Sequence, residues 1–554
     1  MNVPDPGAIL QRLEQLTTIG IALSGEHDTH QLLEKILLGA QELTNADGGT
    51  LYIRTEDDQL RFEILRNDSL QIAMGGSARD PIAFDPIPLY DAAGRPNDRM
   101  VVTYAVLNDA TINILDAYET AGFDFSGTRT FDKRTGYRSR SFLTVPMKNH
   151  ENDIIGVLQL INAKHRETGE IVAFSYEDQR LAEALASQAA VALTNRRLID
   201  ELNLLFESFT RLIATAIDEK SPYTGGHCRR VPVLTMMLAE EACRAQDEPL
   251  KDFSLTDSER RELEIAAWLH DCGKITTPEY IMDKATKLET IFDRIHLIDT
   301  RFEVVKREAE IRALRQMLAA QRNDDPAAMA AVERDLRDTL RRLDEERDFL
   351  RRCNIGDEFM SVADQERVRD IARKTWRDCE GREAPLLSED EVYNLTIPRG
   401  TLTPEERKVI AQHSVATIAM LESLPFPKHL RNVPEYAGGH HERMDGRGYP
   451  NGLTGEQMSI PARIMAIADI FEALTAKDRP YKTGKTLSQA LKILGRMSLD
   501  GHIDPDLFEV FIREKVYLRY AEQYLDPEQI DEVDFAEIPG LASNAGAGIT
   551  AGAG

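Results

Sequence analysis

The sequence lacks the marks of a disulfide-stabilised or membrane-spanning protein. Its five cysteines are odd in number and none pair at CxxC spacing, which argues against a disulfide framework and a zinc–thiolate site. Residues 1–10 contain neither a basic segment nor an apolar one, so no signal peptide is predicted. No apolar run approaches the ~18 residues that a membrane span requires. These absences predict a cytoplasmic protein with no membrane partner.

An excess of basic residues is also missing, because the formal net charge is -26. The negative electrostatic potential of this charge repels DNA and RNA, so no nucleic acid polymer is expected as a partner. A small anionic nucleotide remains compatible with this charge, since a metal centre can reverse the local potential. With 554 residues, 42% hydrophobic and 29% charged, the chain has the composition of a globular protein of three or four structural units.

The first 180 residues contain short β-prone segments that are joined in pairs by polar turns, a pattern typical of hairpins. These segments are residues 50–54, 60–64, 142–147 and 154–161. With residues 132–137 before the third segment and residues 156–162 at the end, the arrangement resembles a GAF domain. The resemblance implies an antiparallel sheet with helices over residues 1–180, acting as a small-ligand sensor or a dimerisation module.

Some GAF domains that bind cyclic nucleotides share an Asn-Lys pair, a Phe and an acidic pair. The corresponding residues here are Asn162, Lys164, Phe174, Glu177 and Asp178. The match is loose, because Ala163 is inserted and the acidic pair is reversed. We therefore expect a GAF domain with another ligand or with none.

Residues 181–219 are predicted to form a long helix that connects two domains. Neither Pro nor Gly interrupts this stretch, and apolar residues recur along one stripe. The stripe comprises Leu181, Leu185, Val191, Leu198, Leu202, Leu205, Phe209 and Leu212. Two interpretations are open: a parallel seam in a homodimer, or a helix that packs on its own domain.

Residues 220–535 are predicted to form an all-α domain that contains a helical insertion at about 288–390. The insertion is dense in Glu, Arg, Asp and Leu, which favours a solvated, salt-bridged hairpin. Asp325 is a candidate N-cap and Pro326 the first residue of its second helix. Residues 536–554, which end in Ala-Gly repeats, are predicted to be a disordered tail. The predicted fold class is therefore multidomain α+β.

Five histidines and two aspartates lie in chemically suggestive contexts. The histidines are His227, His270, His413, His440 and His441, and the aspartates are Asp271 and Asp469. An adjacent His-Asp pair can offer an imidazole and a bridging carboxylate to the same site. A carboxylate in the apolar run 464–471 is costly to bury unless it is paired or binds metal. Each signal is weak alone, but this donor set suits two borderline divalent metals such as Fe, Mn, Ni or Zn.

The order of these motifs resembles an HD-GYP domain. The matching motifs are residues 223–231, His270-Asp271 with Gly273-Lys274, His440-His441-Glu442 with residues 445–450, residues 468–475 and residues 479–482. The resemblance covers about 210–285 and 395–520. It implies a helical metallophosphodiesterase that hydrolyses cyclic di-GMP or a related cyclic dinucleotide by attack of a metal-activated water on phosphorus.

The resemblance assigns roles residue by residue. It makes seven residues metal ligands: His227, His270, Asp271, His413, His440, His441 and Asp469. It gives Asp271 and Lys274 catalytic roles, and Lys274, Arg479 and Lys482 contacts with the substrate phosphate. The loop of Gly446, Gly448, Tyr449 and Pro450 would contact a diguanylate cyclase partner. The implied cofactors are two divalent ions, Fe, Mn or similar.

Two departures from the family pattern bear on the site. Tyr223 stands where some members have a Glu ligand, so a two-metal site is expected rather than a three-metal one. Ser414 and Thr417 replace residues common after the third motif's histidine, which makes His413 the weakest ligand match. The predicted function is hydrolysis of cyclic di-GMP to linear pGpG or GMP under GAF control. The alternatives are a non-catalytic cyclic dinucleotide receptor or scaffold, and an HD-type phosphohydrolase acting on mononucleotides.

Overall fold

The protein's structure, a computed structural model, describes residues 6–78, 80–220, 226–356, 359–477 and 484–541. The chain divides into two compact units, Met1–Leu205 and Phe206–Gly554. Within the described ranges, no helix is both long enough and apolar enough to span a membrane.

The first unit is built on one antiparallel sheet. Its strands are β1 (Ala46–Arg54), β2 (Gln59–Asn67), β3 (Ile72–Gly75), β4 (Ile87–Pro88), β5 (Ile112–Ile114), β6 (Phe142–Lys148), β7 (Ile154–Lys164) and β8 (Ile171–Val172). Six of them lie in the order β3-β2-β1-β7-β6-β5, while β4 pairs with β2 and β8 with β7. The β1–β2 and β6–β7 pairs are the two predicted hairpins, and their turns contain Asp58 and Asn152 at positive φ. Asn and Asp tolerate that conformation well.

Four helices accompany this sheet, and the buried apolar residues of the first three contribute to its hydrophobic clusters. They are α1 (Pro6–Ser24), α2 (Thr29–Thr44), α3 (Val101–Leu107) and α4 (Ser126–Thr135). The Asp28 carboxylate caps α2 by accepting from the Gln31 N–H at 2.8 Å. Ile36 and Leu37 on α2 pack in one buried cluster with Leu51 of β1 and Leu158 of β7. Full burial of each such side chain contributes about 1.5–3 kcal/mol.

A 45-residue helix, α5 (Tyr176–Lys220), contributes to both hydrophobic cores. Ala182, Leu185 and Leu193 belong to the core of the first unit, whereas Ala214 and Ile217 belong to the core of the second. The predicted helix therefore exists but starts earlier than residue 181. Its first turns are not a linker, because their small and apolar side chains are buried against the sheet.

The second unit is helical around a large apolar core. Its helices are α6 (His227–Arg244), α7 (Asp257–Leu269), α8 (Glu279–Met282), α9 (Ile295–Arg322), α10 (Pro326–Ile355), α11 (Val362–Ala372), α12 (Glu389–Leu395), α13 (Pro404–Glu422), α14 (Val433–Gly438), α15 (Ile460–Thr475), α16 (Leu487–Leu499), α17 (Pro505–Arg513) and α18 (Val516–Tyr524). Capping boxes start several of them, including Thr256 with Glu259 at α7 and Thr403 with Glu406 at α13. Local chemistry thus fixes where these two helices begin.

The insertion is a folded subdomain with its own core, rather than a solvated arm alone. The predicted hairpin is present as α9 and α10, with the Asp325 carboxylate accepting from the Ala328 N–H at 2.9 Å. Helices α11 and α12 and the strands β9 (Thr375–Arg377) and β10 (Glu383–Pro385) follow it. Phe302, Leu350 and Leu395 are fully buried where these elements meet. A buried core stabilises the subdomain, which charge alternation alone did not reveal.

The structure is ordered beyond residue 536, where the disordered tail was predicted to start. A 3-10 helix covers Phe535–Glu537, and the Ile538 side chain is only 4% exposed. Ile538 belongs to the same core as Leu491 and Leu494 of α16, which explains the order at this point. Residues 542–554 lie outside the described residues.

Candidate metal centre

Five structural elements bring the candidate ligands to one place. His227 is the first residue of α6, and His270 and Asp271 follow directly after α7. His413 lies within α13 and Asp469 within α15, while His440 and His441 follow α14. All of these side chains are buried or nearly so. Helix ends present most of the ligands, so the rigid helices fix their positions.

The ligand atoms form two groups that share Asp271. One group holds His227, His270 and Asp271, and the other holds Asp271, His413, His440 and His441, with the ligand atoms of each group within 4.8 Å of one another. Asp271 Oδ2 lies 3.2 Å from His270 Nε2 and 3.3 Å from His227 Nε2, while Oδ1 lies 3.2 Å from His413 Nε2. A carboxylate with one oxygen in each group has the geometry of a bridge.

Asp469 completes the first group. Its Oδ1 lies 3.2 Å from His227 Nε2 and 3.8 Å from His270 Nε2. The seven ligands expected from the sequence are therefore together in the structure, including His413, whose assignment was the weakest.

Hydrogen bonds at Nδ1 orient three of the imidazoles. The Nδ1–H of His270, His413 and His440 each donates to the carbonyl oxygen of the residue three positions earlier, at 2.7, 2.6 and 2.5 Å. This arrangement directs Nε2 at the cluster, where the neutral tautomer can offer its lone pair. Metal-binding histidines are commonly held in this way.

Glu472 and Arg230 hold the fourth imidazole, and sequence analysis did not assign either residue. The Nδ1–H of His227 donates to Glu472 Oε2, and Arg230 Nε donates to Glu472 Oε1 at 2.7 Å. Glu472 is 1% exposed and follows Asp469 by three residues, so both face the same side of α15. A second carboxylate at that spacing in an apolar helix was the signal that could have identified it.

Burial and the surrounding charges set the protonation of the cluster. Burial lowers the pKa of His441 to about 4 and that of His440 well below its usual value, so both imidazoles are neutral. Burial alone would lower the pKa of His227 and raise that of Asp271. The carboxylate of Glu472 instead raises the pKa of His227, and the Lys274 ammonium lowers that of Asp271.

Two buried atoms in the cluster are unsatisfied, which is the strongest indication of a ligand. Asp271 Oδ1 and His440 Nε2 have no hydrogen-bond partner among the described residues, although His413 Nε2 lies 3.2 Å from Oδ1. Leaving such atoms buried and unpaired costs about 1–3 kcal/mol each. A divalent cation bound by both atoms would remove this cost, so the residues present fit a metal site.

Comparison with known protein families agrees with this architecture. Residues 28–193 match a model of the GAF domain, and residues 224–364 and 389–507 each match a model of the HD domain. The chain combines a GAF domain with an HD domain. The predicted pairing of these domain types and the α+β fold class are confirmed, and HD domains are metal-dependent.

Named relatives resemble only part of the chain. The 3'3'-cGAMP-specific phosphodiesterase 1 of Vibrio cholerae serotype O1 is 40% identical over 21% of this chain and 26% of its own length. A probable cyclic di-GMP phosphodiesterase of the same organism is 33% identical over 30% of this chain and 40% of its own. The chain thus spans less than half of either relative. A solved GAF domain from a phosphoenolpyruvate-protein phosphotransferase of Coxiella burnetii aligns with 35% of this chain and 98% of its own at 16% identity, with a TM-score of 0.26.

Within the HD domain, a glycine allows α13 to approach the His-Asp pair. A Cβ on Gly273 would lie 2.0 Å from the His413 carbonyl oxygen and 2.6 Å from the Thr417 nitrogen. The Gly273 N–H donates to Thr417 Oγ1 at 2.9 Å. Thr417 departs from the family pattern, yet it joins the two ligand-bearing segments. The adjacent Cys272 is a packing residue, with burial raising the pKa of its thiol to about 11.

The loop of residues 445–450 is held next to the candidate ligands by Glu442 and by a ring contact with His441. Glu442 follows His441 directly and accepts from the N–H groups of Asn451 at 2.7 Å and Leu453 at 2.9 Å. A Cβ on Gly448 would lie 2.4 Å from Glu442 Cα, so only glycine fits there. The Tyr449 ring centroid lies 4.8 Å from that of His441, and the Tyr449 side chain is partly exposed. The loop therefore packs against a candidate ligand.

Of the three predicted phosphate contacts, Lys274 lies among the described residues and the other two do not. Lys274 Nζ donates to Asp271 Oδ2, and the side chain is 22% exposed, so its charge lies beside the bridging carboxylate. Asp271 raises the pKa of Lys274 against the effect of burial, so the amine is cationic. Arg479, Lys482 and Tyr223 lie outside the described residues.

In the GAF domain, three of the loosely matched cyclic-nucleotide residues form hydrogen bonds or ion pairs with other residues of the fold. Lys164 Nζ donates to the buried Asp47 carboxylate, and Asn162 Nδ2 donates to Tyr137 Oη at 2.8 Å. Asp178 is paired with Arg12. A separate cavity of about 330 Å³ has aromatic walls that include Tyr52, Phe62, Phe84, Phe131 and Phe142.

Proposed function

We propose that this protein is a metal-dependent phosphodiesterase of the HD-GYP type that hydrolyses cyclic di-GMP to linear pGpG and, after a second cut, to GMP. The observation that carries the proposal is the pair of ligand groups joined by Asp271. The names of the relatives support a cyclic dinucleotide as substrate class, because both are phosphodiesterases for such molecules.

The proposed cofactors are two divalent ions, Fe, Mn or similar. His227, His270 and Asp469 would hold one ion, His413, His440 and His441 the other, and Asp271 both. Bound there, such ions lower the pKa of water and offset the charge of a phosphate during in-line attack. Nitrogen-rich donor sets of this kind suit borderline transition metals better than Mg²⁺ or Ca²⁺.

The protein's own residues then have defined tasks. The Nδ1 hydrogen bonds of His270, His413 and His440 keep Nε2 directed inward, which limits reorganisation when the ions bind. Lys274 supplies a cation beside the reacting phosphate and stabilises its developing negative charge. Arg479 and Lys482 remain proposed phosphate contacts on the grounds of sequence alone.

Regulation by the GAF domain and partner binding are further parts of the proposal. The aromatic walls of the 330 Å³ cavity suit a small planar ligand. The exposed Tyr449 and its loop, Gly446–Pro450, are a proposed contact for a diguanylate cyclase. Free cysteines, including the buried Cys228 and Cys272, are consistent with a reducing cytosol.

Self-association is proposed for the middle of α5. Leu198, Leu202, Leu205, Phe209 and Leu212 are spaced by four and three residues in turn and are 46–64% exposed. This is the spacing of a two-stranded coiled coil, in which such residues are buried against a second copy. A parallel homodimer would bury them.

A substrate panel tests the enzymatic proposal. Purified protein reconstituted with Mn²⁺ or Fe²⁺ is incubated with cyclic di-GMP, 3'3'-cGAMP, GMP and GTP, and the products are resolved by chromatography. We expect linear dinucleotide from a cyclic substrate and no change in GMP or GTP. Turnover of GTP alone would indicate a mononucleotide phosphohydrolase, and tight binding of a cyclic dinucleotide without turnover would indicate a receptor.

A further inference from the structure

The last turn of α5 contacts the backbone on both sides of the metal centre. This turn contains Asp218, which is 6% exposed, and Lys220, the final residue of the helix. Both belong to the second unit, and neither was singled out by its sequence context. Their partners are the two backbone segments that carry the first ligand and the His-Asp pair.

Asp218 fixes the start of the helix that begins with His227. Its Oδ2 accepts from the Gly226 N–H at 3.1 Å and its Oδ1 from the Cys228 N–H at 3.2 Å. These N–H groups lie at the first turn of α6, where no intrahelical acceptor is available. An anionic side chain there also interacts favourably with the helix dipole. The backbone on each side of His227 is therefore held by one carboxylate of α5.

Lys220 fixes the segment that follows His270 and Asp271. Its Nζ donates to the carbonyl oxygens of Ile275 at 2.5 Å, Thr277 at 2.8 Å and Lys274 at 3.3 Å. These carbonyls lie at the end of the 3-10 helix Cys272–Thr276, and that of Lys274 also accepts from the Thr277 N–H at 3.0 Å. A cation at this end is favoured by the same dipole argument. The backbone that carries Lys274 is thus tied to α5.

The turns just before these residues are anchored in the same unit. Ala214 and Ile217 are buried in its core, and the Arg211 guanidinium carbon lies 5.8 Å from the centroid of the Trp268 ring on α7. Trp268 precedes His270 by two residues. A displacement of this end of α5 would therefore be resisted by packing and passed on to α6, α7 and the 3-10 helix.

We infer that Asp218 and Lys220 are positioning residues that set the distance between the His227 backbone and the Asp271–Lys274 segment, so that the end of α5 tunes metal affinity and turnover. This inference rests on the proposed function for its kinetic consequence but not for its effect on metal binding. Each residue acts through backbone groups of others, and neither touches a ligand atom.

The test compares full-length variants for Mn²⁺ affinity, kcat and KM for cyclic di-GMP, and melting temperature of the metal-free protein. Lys220→Met removes the three donated hydrogen bonds, whereas Lys220→Arg retains a cation and donors. Glu219→Gln is the matched control, since Glu219 is exposed on the same turn. Asp218→Ala removes the acceptors at α6, and Asp218→Asn keeps an acceptor without the charge.

We expect Lys220→Met and Asp218→Ala each to weaken Mn²⁺ binding about tenfold and to lower kcat about tenfold with little change in KM. Lys220→Arg should restore most of both, and Glu219→Gln should match wild type. Unchanged Mn²⁺ affinity in both Lys220→Met and Asp218→Ala would overturn the inference. So would a loss that only tracks a lower melting temperature and that Lys220→Arg does not rescue.

The measurement of Mn²⁺ affinity distinguishes a failure of this inference from a failure of the proposed function. Absence of turnover in wild type would contradict the phosphodiesterase proposal, while the ratio of Mn²⁺ dissociation constants between variants would still decide the role of Asp218 and Lys220.

Discussion

At the scale of single residues, the candidate metal centre is held in place by groups that contact the proposed ligands. Backbone carbonyls hold three of the histidines, and the Glu472 carboxylate holds His227. A carboxylate in this position fixes both the tautomer and the ring orientation, and it raises the basicity of the other ring nitrogen. The Arg230 guanidinium forms an ion pair with Glu472, so the buried Glu472 carboxylate is neutralised by a cation as well as bonded to His227.

Glu472→Gln tests this support. The amide keeps an acceptor for the His227 Nδ1–H but loses the charge that strengthens Nε2 as a ligand. We expect the Mn²⁺ dissociation constant to rise about 10–100-fold, measured by titration with a metal-sensitive probe. Glu456→Gln is the control, because Glu456 is exposed elsewhere in the same domain. Equal affinity in both variants would show that the hydrogen bond, and not the charge, is what matters.

The ligands could be predicted from sequence, whereas their supports could not. His270-Asp271 and His440-His441 are adjacent in the chain, so their pairing is visible without a fold. Glu472 meets His227 across 245 positions, and only the packing of α15 beside α6 brings them together. Glu442 was visible beside the histidines, but its role depends on the loop geometry that turns the N–H groups of residues 451 and 453 toward it.

At the scale of elements, the approach of α13 to the 3-10 helix Cys272–Thr276 positions His413 against Asp271. That approach has no room for a side chain at Gly273, where a Cβ would meet the His413 carbonyl oxygen at 2.0 Å. Backbone atoms cannot swing aside as a flexible side chain would. The two segments would have to separate, and the 3.2 Å distance between Asp271 and His413 would increase.

Gly273→Ala is therefore expected to lose at least one bound ion per chain and to lower turnover at least about 100-fold, since misplacement by 1 Å has effects of that order. Metal content by mass spectrometry and cyclic di-GMP turnover are the measurements. Gly127→Ala is the control, because nothing lies within 4 Å of a Cβ there. Full metal content in Gly273→Ala would contradict the proposed role of this close contact.

The insertion illustrates what charge pattern alone misses. Its hairpin was predictable because Asp325 and Pro326 mark the start of α10, and a cap followed by proline is a local signal. The rest depends on distant pairs, such as the bidentate contact of Arg301 on α9 with Glu391 on α12 at 2.7 and 2.9 Å. Glu391 also belongs to the capping box of α12 with Ser388, so one carboxylate stabilises both a helix start and a tertiary contact.

Glu391→Gln should reduce the stability of the insertion at neutral pH by about 2 kcal/mol, since one partner of a buried ion pair is lost while glutamine can still complete the capping box. Burial acts to raise the pKa of Glu391, but Arg301 outweighs it and the pKa is lowered. A lowered pKa adds stability above the ordinary value near 4.5 and loses it as the pH falls through the folded value. The difference between wild type and variant should therefore shrink toward zero in acid.

Urea unfolding at pH 7 and at acid pH checks this prediction. In a Trp268→Phe background, Trp376 in β9 is the sole tryptophan of the chain and reports on the insertion. Glu389→Gln, on the exposed first turn of the same helix, is the matched control. A difference that persists unchanged in acid would contradict the assignment to the ion pair.

At the scale of the whole molecule, we expect two copies of the chain to associate through α5. The sequence alone left two interpretations of this helix. Its first turns pack on their own sheet, and residues 198–212 carry an exposed heptad stripe that we propose as the seam of a homodimer. Burying exposed leucines contributes about 1.5–3 kcal/mol each. The stripe holds four leucines and one phenylalanine per chain, and burying them against a second copy would offset part of the cost of association.

Light scattering coupled to size-exclusion chromatography tests the dimer. We expect wild type at the mass of two chains and Leu205→Asp, or Leu202→Asp with Phe209→Asp, at the mass of one. Leu115→Asp is the control, because Leu115 is 67% exposed outside the stripe. A monomeric wild type, or a dimer unaffected by the charged substitutions, would rule out this seam.

Asp271 is proposed to join two ions into one hydrolytic centre for a cyclic dinucleotide. The most direct measurement is cyclic di-GMP turnover by metal-reconstituted wild type beside Asp271→Ala, with metal content determined for both. We predict turnover by wild type, and in Asp271→Ala a loss of at least about 1,000-fold together with loss of bound metal. No turnover by wild type with any tested metal and cyclic dinucleotide, or full turnover by Asp271→Ala, would contradict the account.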